Sequence, residues 1–399
     1  MEEKVLDSRS SANYHGFSLV KGGIIYSLTS VFRSKSRPER DLITTAIVLV
    51  LITWLPLGIL ALYYGTLNDD SSTISFFEDF IVHVRFLFAV PFLILIEKIV
   101  DKNFVSYIKN TDRIIPEAQQ QKFNQLVAQF VKLTSSFIPE IIVLLIYYVV
   151  IFTNPDLISA EDSGRNYLTY SATNTLNMAG WFNFLFCIPI YLLVAFRWTW
   201  RWIIWVYSMI RISFFKIYTD PLHADNVAGL AYLNSTPFTF SFILIAPSAM
   251  LSAEIGINII YNDVSFMSYK LLILLYVFIL PVILYSPLAV FMIKLFNARK
   301  EGVVKFGGLI RKHNYDYVKK WIDSSSTNKE PILGAMDNSS LADINGSYAP
   351  ITEMKLIPIN YTMLVLSFVM NVIPYIPLVF TYYSFTELFK MGIKSMIGG

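Results

Sequence analysis

The residues of this chain that could do chemistry stand where charge is costly. His83 and Arg85 lie inside the run FIVHVRFLFAVPFLILI, and Glu254 lies inside another apolar run. Glu97, Glu140 and Arg197 stand at the ends of others. A charge in the bilayer interior costs several kcal/mol, so it faces an opposite charge, a polar cavity or the headgroups. Glu254 follows Phe238 by about sixteen residues, a rise of about 24 Å along a helix, which brings it into the same leaflet as Arg85. The spacing predicts an Arg85–Glu254 ion pair with His83 beside it. The competing reading snorkels Arg85 to the headgroups and leaves Glu254 to water. Glu97, Glu140, Arg197 and Arg201 predict a carboxylate–guanidinium belt at the opposite boundary. Such a belt would lock helix register, or line a selectivity ring if several copies assemble.

A second set lies in the loop LHADNV. His223 titrates near neutral pH, Asp225 could orient it, and Arg201 and Arg211 could hold a phosphate. The plainer reading is a loop that caps the next helix. One His and one Asp are too few for zinc. His313 and Asp343 could join them only through the fold, and His15 is the remaining histidine. No metal site and no catalytic set is therefore assigned, and no cofactor is named. Cys187, the single cysteine, cannot form an internal disulfide and reads as a packed thiol. There is no G-x-x-x-x-G-K-[ST], G-x-S-x-G, H-E-x-x-H or T-V-G-Y-G.

What must position these groups is a set of apolar helices. Charged residues make up only 15% of the chain, against about 25% in soluble domains. The deficit suits a surface that meets lipid. Seven apolar runs stand out: Ile43–Leu62, Phe80–Ile96, Phe137–Thr153, Trp181–Phe196, Phe238–Tyr261, Leu271–Ile293 and Leu356–Tyr383. At about 1.5 Å per residue, such lengths suit the roughly 30 Å hydrocarbon core. Strands would be about ten residues with alternating polarity. The fold class predicted is an all-α polytopic transmembrane bundle of about seven spans with cytoplasmic helical extensions.

Lys and Arg alternate between the connections. Seven precede the first run, six lie in 97–136, four in 197–237 and ten in 294–355. Tyr63–Asp79 has none, and 154–180 has only Arg165. By the positive-inside rule the N-terminus is cytoplasmic, with 27 of the 32 basic residues on that side. No secretory signal is read; the first apolar run would serve for insertion. The stretch RWTWRWIIWVYSMIRISFF places Arg197, Arg201 and Arg211 among tryptophans, a headgroup-level composition. It predicts one helix leaving the membrane.

The organisation expected is a basic segment 1–41, a transmembrane core 42–296 with the Trp/Arg helix and loop at about 197–237, a cytoplasmic helix and loop 297–355, and a last span with tail 356–399. A helix is expected over 294–321, weakened by Gly302, Gly307 and Gly308, and a long loop over 324–350. Prolines at 56, 91, 189, 247, 281, 287 and 374 interrupt the runs. Pro374 and Pro377 predict a kinked last span.

Four segments carry a resemblance. HVRFLFAVPFLILIEKIVD, with Arg85, Pro91 and Glu97, is one. RWIIWVYSMIRIS is another. LHADNVAGLAYL, with His223, Asp225, Gly229 and Leu230, and LGAMDNSSLADINGSY, with Gly334, Asp337 and Ser340–Asp343, complete the set. Together they resemble a family of uncharacterised bacterial multi-pass membrane proteins, from which Ala224 and Ala228 depart. The resemblance implies a bacterial inner-membrane location and no activity.

Three functions stay open. The first is a channel or transporter for a small ion or solute, resting on kinked helices and embedded charge. The second is a scaffold or sensor subunit of a membrane complex. The third is an enzyme acting on a lipid-linked substrate at the cytoplasmic face, with His223 as acid/base. Membrane lipids are the expected partners and a homo-oligomer is admitted; no nucleic acid is expected.

Overall fold

The computed structural model describes residues 22–24, 38–67, 73–154, 164–170, 173, 175–323, 331 and 334–378. Eight helices follow one another: α1 (Pro38–Tyr63), α2 (Phe80–Ile114), α3 (Glu117–Thr153), α4 (Met178–Ser213), α5 (Ala231–Tyr261), α6 (Phe266–Asp323), α7 (Met336–Thr352) and α8 (Tyr361–Leu378). All but α7 are long and apolar enough to cross a membrane. The only β contacts among the described residues are two isolated bridges, Ile74–Arg165 and Thr169–Leu176. The chain is an integral, multi-pass membrane protein. The apolar face of α3 shows why: Ile138, Ile142, Leu145 and Val149 are more than half exposed. Only hydrocarbon makes that face tolerable.

Two sides of the bundle are named here by composition. The basic face holds the α2–α3 and α4–α5 connections; the distal face holds 64–67, 73–79 and 164–170. Three helices run beyond their spans on the basic face. In α2 the buried residues after Glu97 are Val100, Phe104, Tyr107, Ile108 and Thr111. In α3 they are Phe123, Leu126, Val127 and Phe130. In α4 they are Ile204, Trp205, Ser208, Met209 and Ile212. Each set recurs at three and four residues, the stripe of an amphipathic helix, and the three stripes close on one another. The connection 97–136 is thus a helical hairpin turning at Ile115 and Pro116. The expected continuation of α4 through the Trp/Arg stretch is present as one helix.

The prolines decide where the spans change geometry. Proline lacks an N–H and its ring presses on the carbonyl four residues back. A π turn, Val84–Ala89, stands just before Pro91, and a second, Asn183–Cys187, just before Pro189. The Leu185 carbonyl, four residues before Pro189, accepts from the Tyr148 hydroxyl at 2.9 Å. Its neighbour, the Phe184 carbonyl, accepts from Tyr147 at 2.8 Å. Pro287 and Pro374 sit in 3-10 turns, and Pro247 follows one. Pro56 and Pro281 stay inside regular α-helix.

The helix expected over 294–321 is present, running on from the Leu271–Ile293 run in unbroken helical turns as α6. One expectation, the loop over 324–350, needs correction. Residues expected as loop to Pro350 form α7 from Met336. The weakening glycines of α6 have a use. A Cβ on Gly302 would meet Pro221 Cβ at 2.8 Å and Ile351 Cγ2 at 3.2 Å, and one on Gly307 would touch the Tyr348 hydroxyl. The bare backbone lets α7 and the 215–230 loop close on α6. The last span is α8, bound to α5 by Ser248–Asn371 (2.7 Å) and Ser241–Ser367 (3.0 Å) hydrogen bonds. Lys390, Lys394 and His15 lie outside the described residues.

Candidate functional site

Helices α2 and α4 carry a charge cluster at each end. On the distal face Asp79 is fully buried as the N-cap of α2, a role its side chain is shaped for. One carboxylate oxygen accepts from the N–H groups of Ile81 (3.0 Å) and Val82 (3.3 Å). The other accepts from Arg165 Nε at 2.6 Å and the Tyr167 hydroxyl at 2.7 Å. Burial lowers the pKa of the Arg165 guanidinium, but Asp79, Tyr167 and Glu254 together outweigh it and hold the group above its ordinary value. Burial and Asp79 both push the Tyr167 phenol up, so it stays a donor. Asn177 caps α4 in the same network: its Oδ1 accepts from Gly180 N at 3.0 Å, and its Nδ2 donates to the Tyr167 carbonyl at 2.9 Å.

Arg85 lies one turn and a half into α2, in the π segment. It forms no ion pair with Glu254. Glu254 is exposed, its carboxylate takes a hydrogen bond from the Asn258 side chain one turn on, and the arginine it acts on is Arg165. The carboxylate that acts most on Arg85 is Asp79, which is already committed to Arg165. Arg85 Nε is buried without a hydrogen bond, and the guanidinium sits 5.7 Å from the Tyr191 ring centre. His83 is elsewhere employed: its Nδ1 accepts from Trp54 Nε1 at 2.9 Å, among Phe76 and Phe77. Cys187 is buried, its thiol directed at the Thr53 carbonyl (3.6 Å).

The belt on the basic face is assembled. Glu97 Oε1 lies 3.3 Å from both Arg197 and Arg201, and Arg197 Nε lies 3.7 Å from Glu140. All four side chains are at least nine-tenths buried. Arg201 also lies 4.5 Å from the Trp198 ring centre. The segment Gly22–Ile24 docks here: Arg197 donates to the Gly22 carbonyl at 3.3 Å, and Ile24 N donates to Glu140. Gly23 has φ +87°, and a Cβ there would run into the Glu140 carboxylate, so only glycine fits.

Between the two clusters, apart from Arg85 and Tyr191, the facing side chains of α2 and α4 are apolar and packed. Ala89, Val90, Leu93, Val194 and Trp198 are all buried. Alongside them, α4, α5 and α6 with Leu93 of α2 line a half-open apolar cavity of about 310 Å³ whose wall includes Tyr191, Ala195, Trp198, Leu244 and Leu284.

The loop candidates do not form a phosphate site. Arg201 is spent on Glu97, and Arg211 rests on the Tyr207 hydroxyl at 2.8 Å. Asp225 accepts from the N–H groups of Val227 (3.0 Å), Gly229 (3.1 Å) and Ala231 (3.0 Å), with His223 Nδ1 at 3.0 Å. This holds a turn in which Asn226 and Ala228 have φ +55°, a strained conformation for non-glycine residues. The pair is a loop cap. His313 bonds Ser340 at 3.0 Å, far along α6, and no metal-holding group of His, Cys, Asp and Glu occurs among the described residues.

Burial raises the Asp225 carboxyl, but the three N–H donors and His223 outweigh it and hold the carboxyl below its ordinary value. A depressed folded-state pKa stabilises above the unfolded value, about 3.9, and that contribution is lost as the pH falls through the folded one. Amide exchange at Val227, Gly229 and Ala231 is therefore expected to stay slow from pH 7 to about pH 4, then to rise faster than intrinsic exchange predicts. Asp225→Asn should remove that step and cost about 1–3 kcal/mol.

Asp79, Arg165, Tyr167 and Asn177 were not singled out from the sequence. Asp79 had a signal, as an N-cap residue directly before an apolar run. Arg165 had one too, as the lone base between two spans. Tyr167 had none. No family model, no curated protein and no solved structure matches the chain.

Proposed function

We propose that the protein is a carrier for an anionic solute, with Arg85 as the cation that receives it. One observation carries this reading. Arg85 stands within a span and has no carboxylate at ion-pair distance among the described residues, whereas Arg165, Arg197 and Arg201 each have one. A guanidinium so placed is costly without a counter-ion, and an incoming anion supplies it. The arrangement around it supports a carrier over an open channel. Charge clusters stand at both ends of α2 and α4, the side chains packed between them are mostly apolar, and each helix carries a π turn, a feature common at functional sites. Exchanging which cluster is closed would expose Arg85 to one side and then the other.

On this reading the chain lies in a bacterial inner membrane with its basic face cytoplasmic, in keeping with its Lys and Arg distribution. Membrane lipids are its surroundings, and a homo-oligomer is compatible with its exposed apolar faces.

The test is reconstitution into liposomes, with currents recorded on jumps of chloride, phosphate, acetate and longer carboxylates. At least one anion is expected to give a saturable current that falls about tenfold or more in Arg85→Gln, the worth of one charge-assisted hydrogen bond, while Glu254→Gln leaves it unchanged. Silence to every anion, or full current in Arg85→Gln, would sink the proposal.

A further inference from the structure

The cavity beside Tyr191 narrows the class of anion. We infer that the solute is a single-chain amphiphile, a medium-chain fatty carboxylate, with its carboxylate at Arg85 and its tail in the cavity. This rests on the reading of Arg85 as an anion site.

The cavity has the shape and lining for a hydrocarbon tail. Tyr191, Ala195, Trp198, Thr199 and Trp202 line it from α4, spaced at three and four residues along one face. From Tyr191 to Trp202 the helix rises about 16 Å, so the space is elongated along the membrane normal. Phe240, Leu244 and Pro247 of α5 and Leu280 and Leu284 of α6 supply the other walls, almost all apolar. Its volume of about 310 Å³ is about twice that of the engineered apolar cavity that accepts one benzene ring. It therefore holds about a dozen carbon atoms. Its outer wall includes Ile283, which is 42% exposed, so the cavity opens onto the apolar surface of the bundle and hydrocarbon is the medium that fills it.

Tyr191 joins the tail site to the charge. Its ring lies 5.7 Å from the Arg85 guanidinium and also lines the cavity. Cation and cavity are thus neighbours, with the cation on the distal side. An amphiphile entering from that side would place its head at Arg85 and its chain toward Trp202.

The experiment is equilibrium binding of radiolabelled dodecanoate, acetate and dodecanol to the full chain in nanodiscs, with empty nanodiscs subtracted. Dodecanoate is expected to bind saturably at one per chain, at least about tenfold tighter than acetate. Arg85→Gln should weaken dodecanoate by roughly 10–100-fold and leave dodecanol unchanged. Ala195→Phe, which fills the cavity, should abolish dodecanoate binding. Equal affinity for dodecanoate and acetate would overturn the tail assignment while leaving Arg85 an anion site. So would unaltered dodecanoate binding in a folded Ala195→Phe variant. Loss of neither carboxylate in Arg85→Gln would overturn both readings. If Ala195→Phe does not fold, the wild-type comparison of dodecanoate with acetate decides alone.

Discussion

Glu97→Ala is expected to destabilise the protein by about 3–5 kcal/mol, the usual loss when one partner of a buried ion pair is removed. The carboxylate is the common partner of Arg197 and Arg201, both deeply buried. Without it, Arg197 keeps Glu140 at 3.7 Å and Arg201 keeps the attraction of Asp101, and the closest carboxylate of both is gone. Charge buried without compensation, rather than the loss of a favourable contact, sets the size of the effect. That account makes a second outcome necessary. Replacing Glu97 and Arg201 together by leucine leaves the neutral Arg197–Glu140 pair and should cost less than Glu97→Ala alone. Unfolding of purified protein by heat or by added denaturing detergent measures both. A double variant less stable than the single one would show that the cluster contributes through its own attraction.

Asp79→Ala should produce the other large loss, about 3–5 kcal/mol. It removes the N-cap of α2, worth about 1–2 kcal/mol, and strands the Arg165 guanidinium and Tyr167 hydroxyl. The terms share one side chain and will not add simply. Asp79→Asn keeps the cap and should lose about half as much. The readout that separates this from general weakening is local. Only about a fifth of the Arg165 side chain is exposed, and its backbone is bridged to Ile74. Trypsin added from the distal side should spare Arg165 in the wild type and cut there early in Asp79→Ala. Equal cleavage in the two would mean that Asp79 does not hold the distal connection.

These two residues differ in how readable they were. Glu97 and its arginines stood at the ends of apolar runs, and charge at a membrane boundary seeks opposite charge, so the belt followed from residue types and depth alone. Asp79 preceded an apolar run as a cap should, but nothing local said that its second oxygen would take Arg165, eighty-six positions on. The Arg85–Glu254 pair failed for the complementary reason. Helical rise gave only a relative height for the two residues. The rotation of α5 about its own axis was not in the spacing, and in the fold Glu254 bonds Asn258 and acts on Arg165 rather than pairing with Arg85. The same limit applies to α7. Its Ser, Asn, Asp and Gly content suits a loop, and only the seat provided by Gly302 and Gly307 on α6 makes a helix there worthwhile.

The amino-acid sequence by itself determined that this is a membrane protein of about seven apolar helices and roughly where each lies. Those properties depend on transfer of side chains from water to hydrocarbon, which sums along the chain and needs no knowledge of neighbours. Prolines likewise marked most places where a span changes its turn, because the missing N–H is a local fact. Tertiary structure decided which face of each helix meets which other. It brought Asp79 to Arg165, left Arg85 with Tyr191 for company and formed a half-open apolar cavity between α4, α5 and α6. Contacts of that kind depend on the rotation and crossing of whole helices, which side chains far apart in the chain settle together.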